Sequence, residues 1–287
     1  MSEPISAIGI IGGGFMGAGI AEVASLAGVA VVVRELPEYL DAARGRLESS
    51  LARAVKRGKL DAADRDSALA RVILTSDLQD VASADLVIEA VPEDVGLKTS
   101  IMQTLGGIVG DHAIIASNTS SIPIAQLASH VPNPDRVVGL HFFSPVPVMS
   151  LVEIVRALDT SDDTIEQAHG FVAALGKQAI ETKDRSGFIV NMLLVPYLMA
   201  AVRMFEDDFA SREDIDKGMK LGAGHPMGPL TLCDFIGLDV LHAVCNSLYE
   251  EYKRDEYAPP PLMKRMIEAG RLGRKSGRGF YDYAAHV

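Results

Sequence analysis

The stretch SAIGIIGGGFMGAG, residues 6–19, constrains this chain more than any other. ISAIGII, ending at Ile11, is short, apolar and β-branched, and reads as a buried strand. Three glycines follow in the pattern Gly12-x-Gly14-x-x-Gly17, and FMGAGIAEVASLAG then runs at helical spacing to Gly28. A strand, a glycine turn and a helix in that order build a phosphate cradle. Gly12 permits the tight turn, Gly14 lets the backbone approach a pyrophosphate, and Gly17 lets helix and strand pack closely. The helix start adds free N–H groups and a partial positive charge. Phe15 and Met16, between the second and third glycines, fall among the expected cofactor contacts.

A second buried strand, VAVVVRE, ends in Glu35, 23 residues after Gly12. A carboxylate there can accept hydrogen bonds from both ribose hydroxyls and would repel a 2′-phosphate. That favours NAD over NADP. The adjacent Arg34 could neutralise the acid by a swing of its side chain, which leaves NADP open. A nicotinamide reaction also needs a proton acceptor, for hydride leaving an alcohol carbon strands a proton on oxygen. Histidine is the common acceptor near neutral pH.

Strands and helices alternate through the first part of the chain. Residues 37–57 read as an amphipathic helix, and RVILT, ADLVIEAVPE, AIIASNTSS, RVVGLHFF and MSLVEIV as strands, with a helix over DVGLKTSIMQTLGGIV. Such alternation predicts a mostly parallel α/β sheet with crossover helices. It stops near Gly187. GFIVNMLLVPYLMAAVRMFE, SREDIDKGMKLGA, LTLCDFIGLDVLHAVCNSLYEEY and PPPLMKRMIEAG are all helical in period. The expected organisation is therefore an NAD-binding α/β domain over residues 1–185 and an all-helical domain for substrate and dimerisation over 186–287, with the boundary at KDRSG.

With 287 residues the chain is long for one core. Its net charge of −11 argues against nucleic acid, which needs a basic face. Cys233 and Cys245 match no zinc spacing, and two thiols do not make a disulfide scaffold, so no metal is expected. The N-terminus lacks a basic leader and cleavage site, and the longest mostly apolar stretch is shorter than a membrane span. A soluble cytoplasmic protein is expected.

GGGFMGAGIA, EAVPE, ASNTSS, GLHFFSPVPVM, VEIV, GFIVNMLLVPYLMAA, KLGAGHPMGPLTLCDFIGLD and GRKSGRGFYDY, in this order, resemble the 3-hydroxyacyl-CoA dehydrogenase family over essentially the whole chain. The likeness is strongest to its short bacterial 3-hydroxybutyryl-CoA dehydrogenases. The resemblance implies a Rossmann domain, an all-helical domain that forms a homodimer, and NAD-linked interconversion of (S)-3-hydroxyacyl-CoA and 3-oxoacyl-CoA. It makes His141 the general base and acid, held by Glu153. Alone, His141 between apolar residues would read as a core histidine, and Glu153 equally as a solvated strand glutamate.

By the same resemblance Ser120 contacts the substrate hydroxyl and the cofactor. From the residues alone a helix N-cap for IPIAQLA competes with that role, and both can coexist among Ser117, Ser120 and Ser121. Asn191, an amide in an almost wholly apolar helix, is assigned to the substrate oxygen. A buried amide needs a partner, on pain of about 1–3 kcal/mol. Glu93 and Lys98 match positions around the nicotinamide ribose, and Lys275 a cofactor-side lysine; each could instead be a solvated surface charge. Ser144 stands where the family has asparagine, which bears on how the nicotinamide amide is positioned.

Coenzyme A is polyanionic, so an acidic chain needs a local basic patch. VKRGKL supplies Lys56, Arg57 and Lys59 at a helix end, where cations also suit the helix dipole. The resemblance places Ser50 and Arg57 at the coenzyme A. Three other readings stand beside it. Free β-hydroxyacid dehydrogenases rely on a lysine in the long buried helix, and Gly187 to Phe205 contains none. A related sugar-acid dehydrogenase would keep the fold without the coenzyme A site. A non-catalytic NAD-binding protein would have no use for His141, Glu153 and Asn191 together.

Overall fold

The computed structural model describes residues 4–283, which divide into two compact units, one ending at Arg185 and the other beginning at Ser186. In the first unit the elements in chain order are β1 (Ala7–Ile11), α1 (Phe15–Leu26), β2 (Ala30–Arg34), α2 (Leu40–Lys56), α3 (Ala62–Ala70), β3 (Val72–Thr75), β4 (Leu86–Glu89), α4 (Val95–Ile108), β5 (Ile114–Ser117), α5 (Ile124–Ala128), β6 (Val137–Phe142), β7 (Leu151–Arg156), α6 (Asp162–Ala174) and β8 (Gln178–Lys183). The eight strands form one sheet in the order β3-β2-β1-β4-β5-β6-β7-β8. Every neighbouring pair is parallel except β6 and β7.

Parallel strands need crossover helices, which cover the sheet on its faces and make its strands apolar on both sides. The sequence obliges: all residues of β4, β5 and β6 are buried. Ile8, Ile10, Ile88, Ile114, Leu140 and Phe142 join Ile20 and Ala24 of α1 and Phe171 of α6 in one core. The order of β3 to β6 is that of a doubly wound nucleotide-binding sheet. Its strand order reverses between β1 and β4, the point at which such sheets bind ligands beyond the strand C-termini.

Three elements here go beyond the sequence expectations. α3, α6 and β8 were not anticipated. β8 is half-exposed along most of its length and owes its extended form to pairing with β7 in register from Leu151–Gln178 to Arg156–Lys183. Residues 37–57 split into a short 3-10 turn over Pro37–Tyr39 and then α2.

The second unit holds α7 (Val190–Glu206), α8 (Arg212–Gly222), α9 (Pro229–Ile236), α10 (Leu238–Tyr252) and α11 (Pro261–Glu268). Leu198, Met199, Leu230, Leu241, Leu248 and Met263 are the centre of its core. The helical run from Leu230 to Tyr252 is not one helix. It breaks at Gly237, whose φ of +101° lies outside the helical region, and α9 and α10 meet at a bend of 98°. No single helix among the described residues is long and apolar enough to cross a membrane, although α9 and α10 pass that test as a bent pair.

Candidate active site

The glycine turn sits at the C-terminal end of β1. Gly12 has φ +104°, and a Cβ there would lie 2.8 Å from the Ala90 carbonyl oxygen. A Cβ on Gly17 would lie 1.8 Å from the Gly12 carbonyl oxygen, so no other residue fits. Gly14 differs: it is the N-cap of α1, no side chain caps the helix, and nothing stands within 4 Å of where its Cβ would be. The backbone is thus bare where a pyrophosphate must come close. Phe15 is exposed, while Met16 packs on the sheet core.

Glu35 leans over the same turn. Its Oε2 accepts from the Gly13 N–H at 2.8 Å, and its Oε1 from the Leu36 N–H at 2.7 Å. These bonds fix a carboxylate beside the phosphate cradle on the β2 side, where an adenosine ribose belongs. The neighbouring Arg34 turns away and donates from Nε to the Ser76 carbonyl at 3.4 Å. The cradle and its acid therefore fit NAD.

On the other side of β1, a buried ionic cluster closes the ends of β4 and β5. The Lys98 ammonium donates to both oxygens of Glu89, at 2.7 and 2.9 Å, and to the Val91 carbonyl at 3.2 Å. Glu89 also accepts from the Val91 N–H and the Ser117 hydroxyl, each at 2.7 Å. Lys98 lies 3.3 Å from Glu93 as well. Its side chain is 1% exposed and that of Glu89 0%. Breaking such a pair strands a buried charge at a cost of about 3–5 kcal/mol. Lys98 is therefore not a solvated surface charge.

Glu93 in turn holds the loop after β5. Its Oε1 accepts from the Thr119 hydroxyl, the Ser120 N–H and the Ser121 hydroxyl, at 2.5, 3.0 and 3.0 Å. Burial pushes this carboxyl up, but the Lys98 ammonium and those hydrogen bonds outweigh it, and Glu93 stays below the usual glutamate range. The N-cap competing for Ser120 is absent. α5 follows Pro123 with no side-chain cap of its own, and Asp184 accepts from its first N–H groups, Ile124 at 2.8 Å and Ala125 at 2.7 Å.

His141 and Glu153 face each other across the antiparallel seam. Leu140 and Phe142 enter the core, so alternation turns His141 to the opposite face. The β6–β7 register sets Glu153 directly opposite, and His141 Nδ1 lies 2.7 Å from its Oε2. Glu153 is fully buried, for β8 covers the strand that would otherwise be an edge, and His141 is 6% exposed. The Phe143 ring stands 4.5 Å from the imidazole, centroid to centroid. The Asn118 amide oxygen accepts from the Phe142 N–H at 3.0 Å, tying the Ser120 loop to the strand of His141. Ser144 follows, exposed.

A cavity of about 1030 Å³ opens between α1, α2 and the segment Pro145–Val148. Ser50 and Arg57 line it, together with Arg46, Arg53 and Lys59; Lys56 does not. The sequence reading missed Arg46 and Arg53. Their signal was present, since residues 46, 50 and 53 share one face of α2 and Arg57, at the helix C-cap, continues the same spacing. Four cations thus meet one lining carboxylate, Glu22. Burial raises the Glu22 carboxyl above its ordinary value, against a hydrogen bond with Ser50 and the nearby Arg53.

The second unit carries two further expected site residues. Asn191 is half-buried in the first turn of α7, and its N–H bonds the Gly187 carbonyl. Lys275 pairs with Asp239 at 2.5 Å. Both cysteines are buried, and among the described residues no group of His, Cys, Asp or Glu is arranged to hold a metal.

By sheet order and turn, the chain carries a doubly wound dinucleotide-binding domain. More narrowly, it belongs to the 3-hydroxyacyl-CoA dehydrogenase family: residues 7–185 match that family's NAD binding domain and residues 187–283 its C-terminal domain. A 3-hydroxybutyryl-CoA dehydrogenase of Mycobacterium tuberculosis is 51% identical over 99% of this chain and all of its own. The mitochondrial hydroxyacyl-coenzyme A dehydrogenase of Homo sapiens is 42% identical, covering 96% of this chain and 90% of its own. The crystal structure of (S)-3-hydroxybutyryl-CoA dehydrogenase PaaH1 from Ralstonia eutropha superposes with a TM-score of 0.92 at 45% identity, over 97% of this chain and 99% of that one.

Proposed function

We propose that this protein interconverts (S)-3-hydroxybutyryl-CoA and acetoacetyl-CoA, with His141 as the proton-transfer group. The observation that carries the reading is the 2.7 Å contact between His141 Nδ1 and Glu153. A carboxylate on Nδ1 fixes the tautomer, directs proton exchange through Nε2 and stabilises the imidazolium once formed. In oxidation His141 takes the hydroxyl proton as hydride leaves C3, and in reduction it returns that proton to the alkoxide. NAD, when bound, supplies the hydride acceptor.

Ser120 and Asn191 are the assigned hydrogen-bond donors to the substrate oxygen, strengthening as charge develops on it. Gly12, Gly14, Gly17 and Glu35 hold the cofactor's pyrophosphate and adenosine ribose. Glu93, Ser144 and Lys275 are assigned to its nicotinamide side. Ser50, Arg57, Arg46 and Arg53 bind coenzyme A. The cationic cavity supports this last assignment, because it offers a polyanion four positive charges on a chain whose net charge is −11. Relatives named for 3-hydroxybutyryl-CoA support the short acyl chain.

We further propose that the enzyme is cytoplasmic and forms a homodimer through the second unit. Leu193, Phe209 and Leu221 of that unit are each more than 70% exposed and offer apolar surface for a second copy to cover. The test of function is reduction of acetoacetyl-CoA with NADH and with NADPH, alongside free acetoacetate. The reading expects fast turnover only with the thioester and NADH; equal rates on the free acid would overturn it.

A further inference from the structure

We propose that the Glu89–Lys98–Glu93 cluster, in which Glu89 and Lys98 are buried and Glu93 is partly open to solvent, sets which redox state of the nicotinamide this protein holds more tightly, favouring the oxidised, cationic ring. Two carboxylates share one ammonium, so the cluster carries one net negative charge. Glu89 accepts hydrogen bonds from Lys98 twice, from the Val91 N–H and from Ser117. Each of these partners donates, as an ionised carboxylate requires. Glu93 is likewise surrounded by donors and held ionised.

The place of the cluster gives that charge its meaning. Glu35 marks the adenosine side of the glycine turn, on β2. The dinucleotide crosses the sheet at the reversal between β1 and β4, so its other half lies over β4 and β5. Glu89 ends β4, pairs with Ile11 on one side and Ser117 on the other, and precedes Ala90, whose carbonyl crowds Gly12. NAD+ and NADH differ by one unit of charge, and that charge is on the nicotinamide ring. A charge fixed on that side, anchored by the buried Glu89–Lys98 pair and only partly screened by water at Glu93, distinguishes them.

The role of Glu89 is electrostatic and positional, for its side chain is fully buried among Lys98, Ser117 and the Val91 N–H. The test is the ratio of dissociation constants for NAD+ and NADH. The chain contains no tryptophan, so NADH emission reports binding directly, and NAD+ is measured by competition. Glu89→Gln and Glu93→Gln each neutralise the cluster and should raise Kd(NAD+)/Kd(NADH) on the order of tenfold, the effect of one charge at about 10 Å in an effective dielectric of about 20. Ser117→Ala removes a hydrogen bond and no charge, and should leave the ratio unchanged. A merely structural role would weaken both cofactors alike. A wild-type ratio in folded Glu89→Gln overturns the inference; should that variant not fold, Glu93→Gln decides in the same way. Failure of the wild type to bind either cofactor would overturn the cofactor site itself, and the inference with it.

Discussion

His141 and Glu153 are twelve residues apart in the chain and 2.7 Å apart in the structure, because β6 and β7 form the only antiparallel pair in the described sheet. Directly opposed residues on such a pair share one face. The eight residues between the strands suffice to reverse the chain, so the pair needs no long-range assembly. Glu153→Gln keeps the shape and loses the charge. It should lower kcat by about 100- to 10,000-fold while leaving KM for NADH close to wild type. Steady-state kinetics at saturating acetoacetyl-CoA checks this.

The cationic cavity predicts a split between substrate and cofactor. Arg57→Ala and Arg53→Ala should each raise KM for acetoacetyl-CoA by about tenfold, as expected for a lost charged hydrogen bond, with kcat and the Kd of NADH little changed. Salt should mimic the substitutions: the wild-type KM for the thioester should climb with ionic strength, less steeply in either variant. A KM indifferent to both would leave the cavity without a polyanion to bind.

Glu35 predicts cofactor choice. Its carboxylate is pinned to Gly13 and Leu36, while Arg34 is bonded to Ser76. Glu35→Ala should weaken NADH binding about tenfold or more through loss of charged hydrogen bonds to the ribose. It should also narrow the NADH-to-NADPH ratio, because the repulsion of a 2′-phosphate goes with it. Fluorescence titration with both cofactors reads each effect.

Glu22 predicts a pH dependence of stability. Its folded pKa is raised above the ordinary 4.5, chiefly by burial, so the native state holds this proton more tightly than the unfolded chain. Stability therefore falls as pH rises from about 4.5 through the raised value, and the full penalty is present once Glu22 is ionised. Glu22→Gln should melt at a higher temperature than wild type at pH 7, and the gap should close as the pH is lowered toward 4.5. Calorimetric scans across that range give the comparison.

Much of the candidate site's geometry is legible in the sequence because its signals are local. The glycine turn is a contiguous pattern whose physics is the same wherever a strand precedes it and a helix follows, and Glu35 sits at the end of the next strand. His141, by contrast, reads alone as a core histidine and Glu153 as an ordinary strand acid; only motifs from the whole chain gave them roles. Glu89 carried no signal, since an acid closing an apolar strand says nothing of the lysine nine residues on. Arg46 and Arg53 were readable from their spacing on α2. The edge strand β8 was not, as it is held by its neighbour more than by its own pattern. α6 had its signals, a Ser161 side chain accepting from the Thr164 N–H and two acids in the first turn. The break at Gly237 hid inside a continuous apolar period that one residue with positive φ interrupts.

In the proposed reaction the buried imidazole of His141 moves the proton. Replacing His141 by glutamine, and measuring acetoacetyl-CoA reduction together with NADH binding in the same preparation, tests it most directly. Turnover should fall at least about 100-fold while NADH affinity is retained. Turnover at the wild-type rate in a folded His141→Gln enzyme would contradict it.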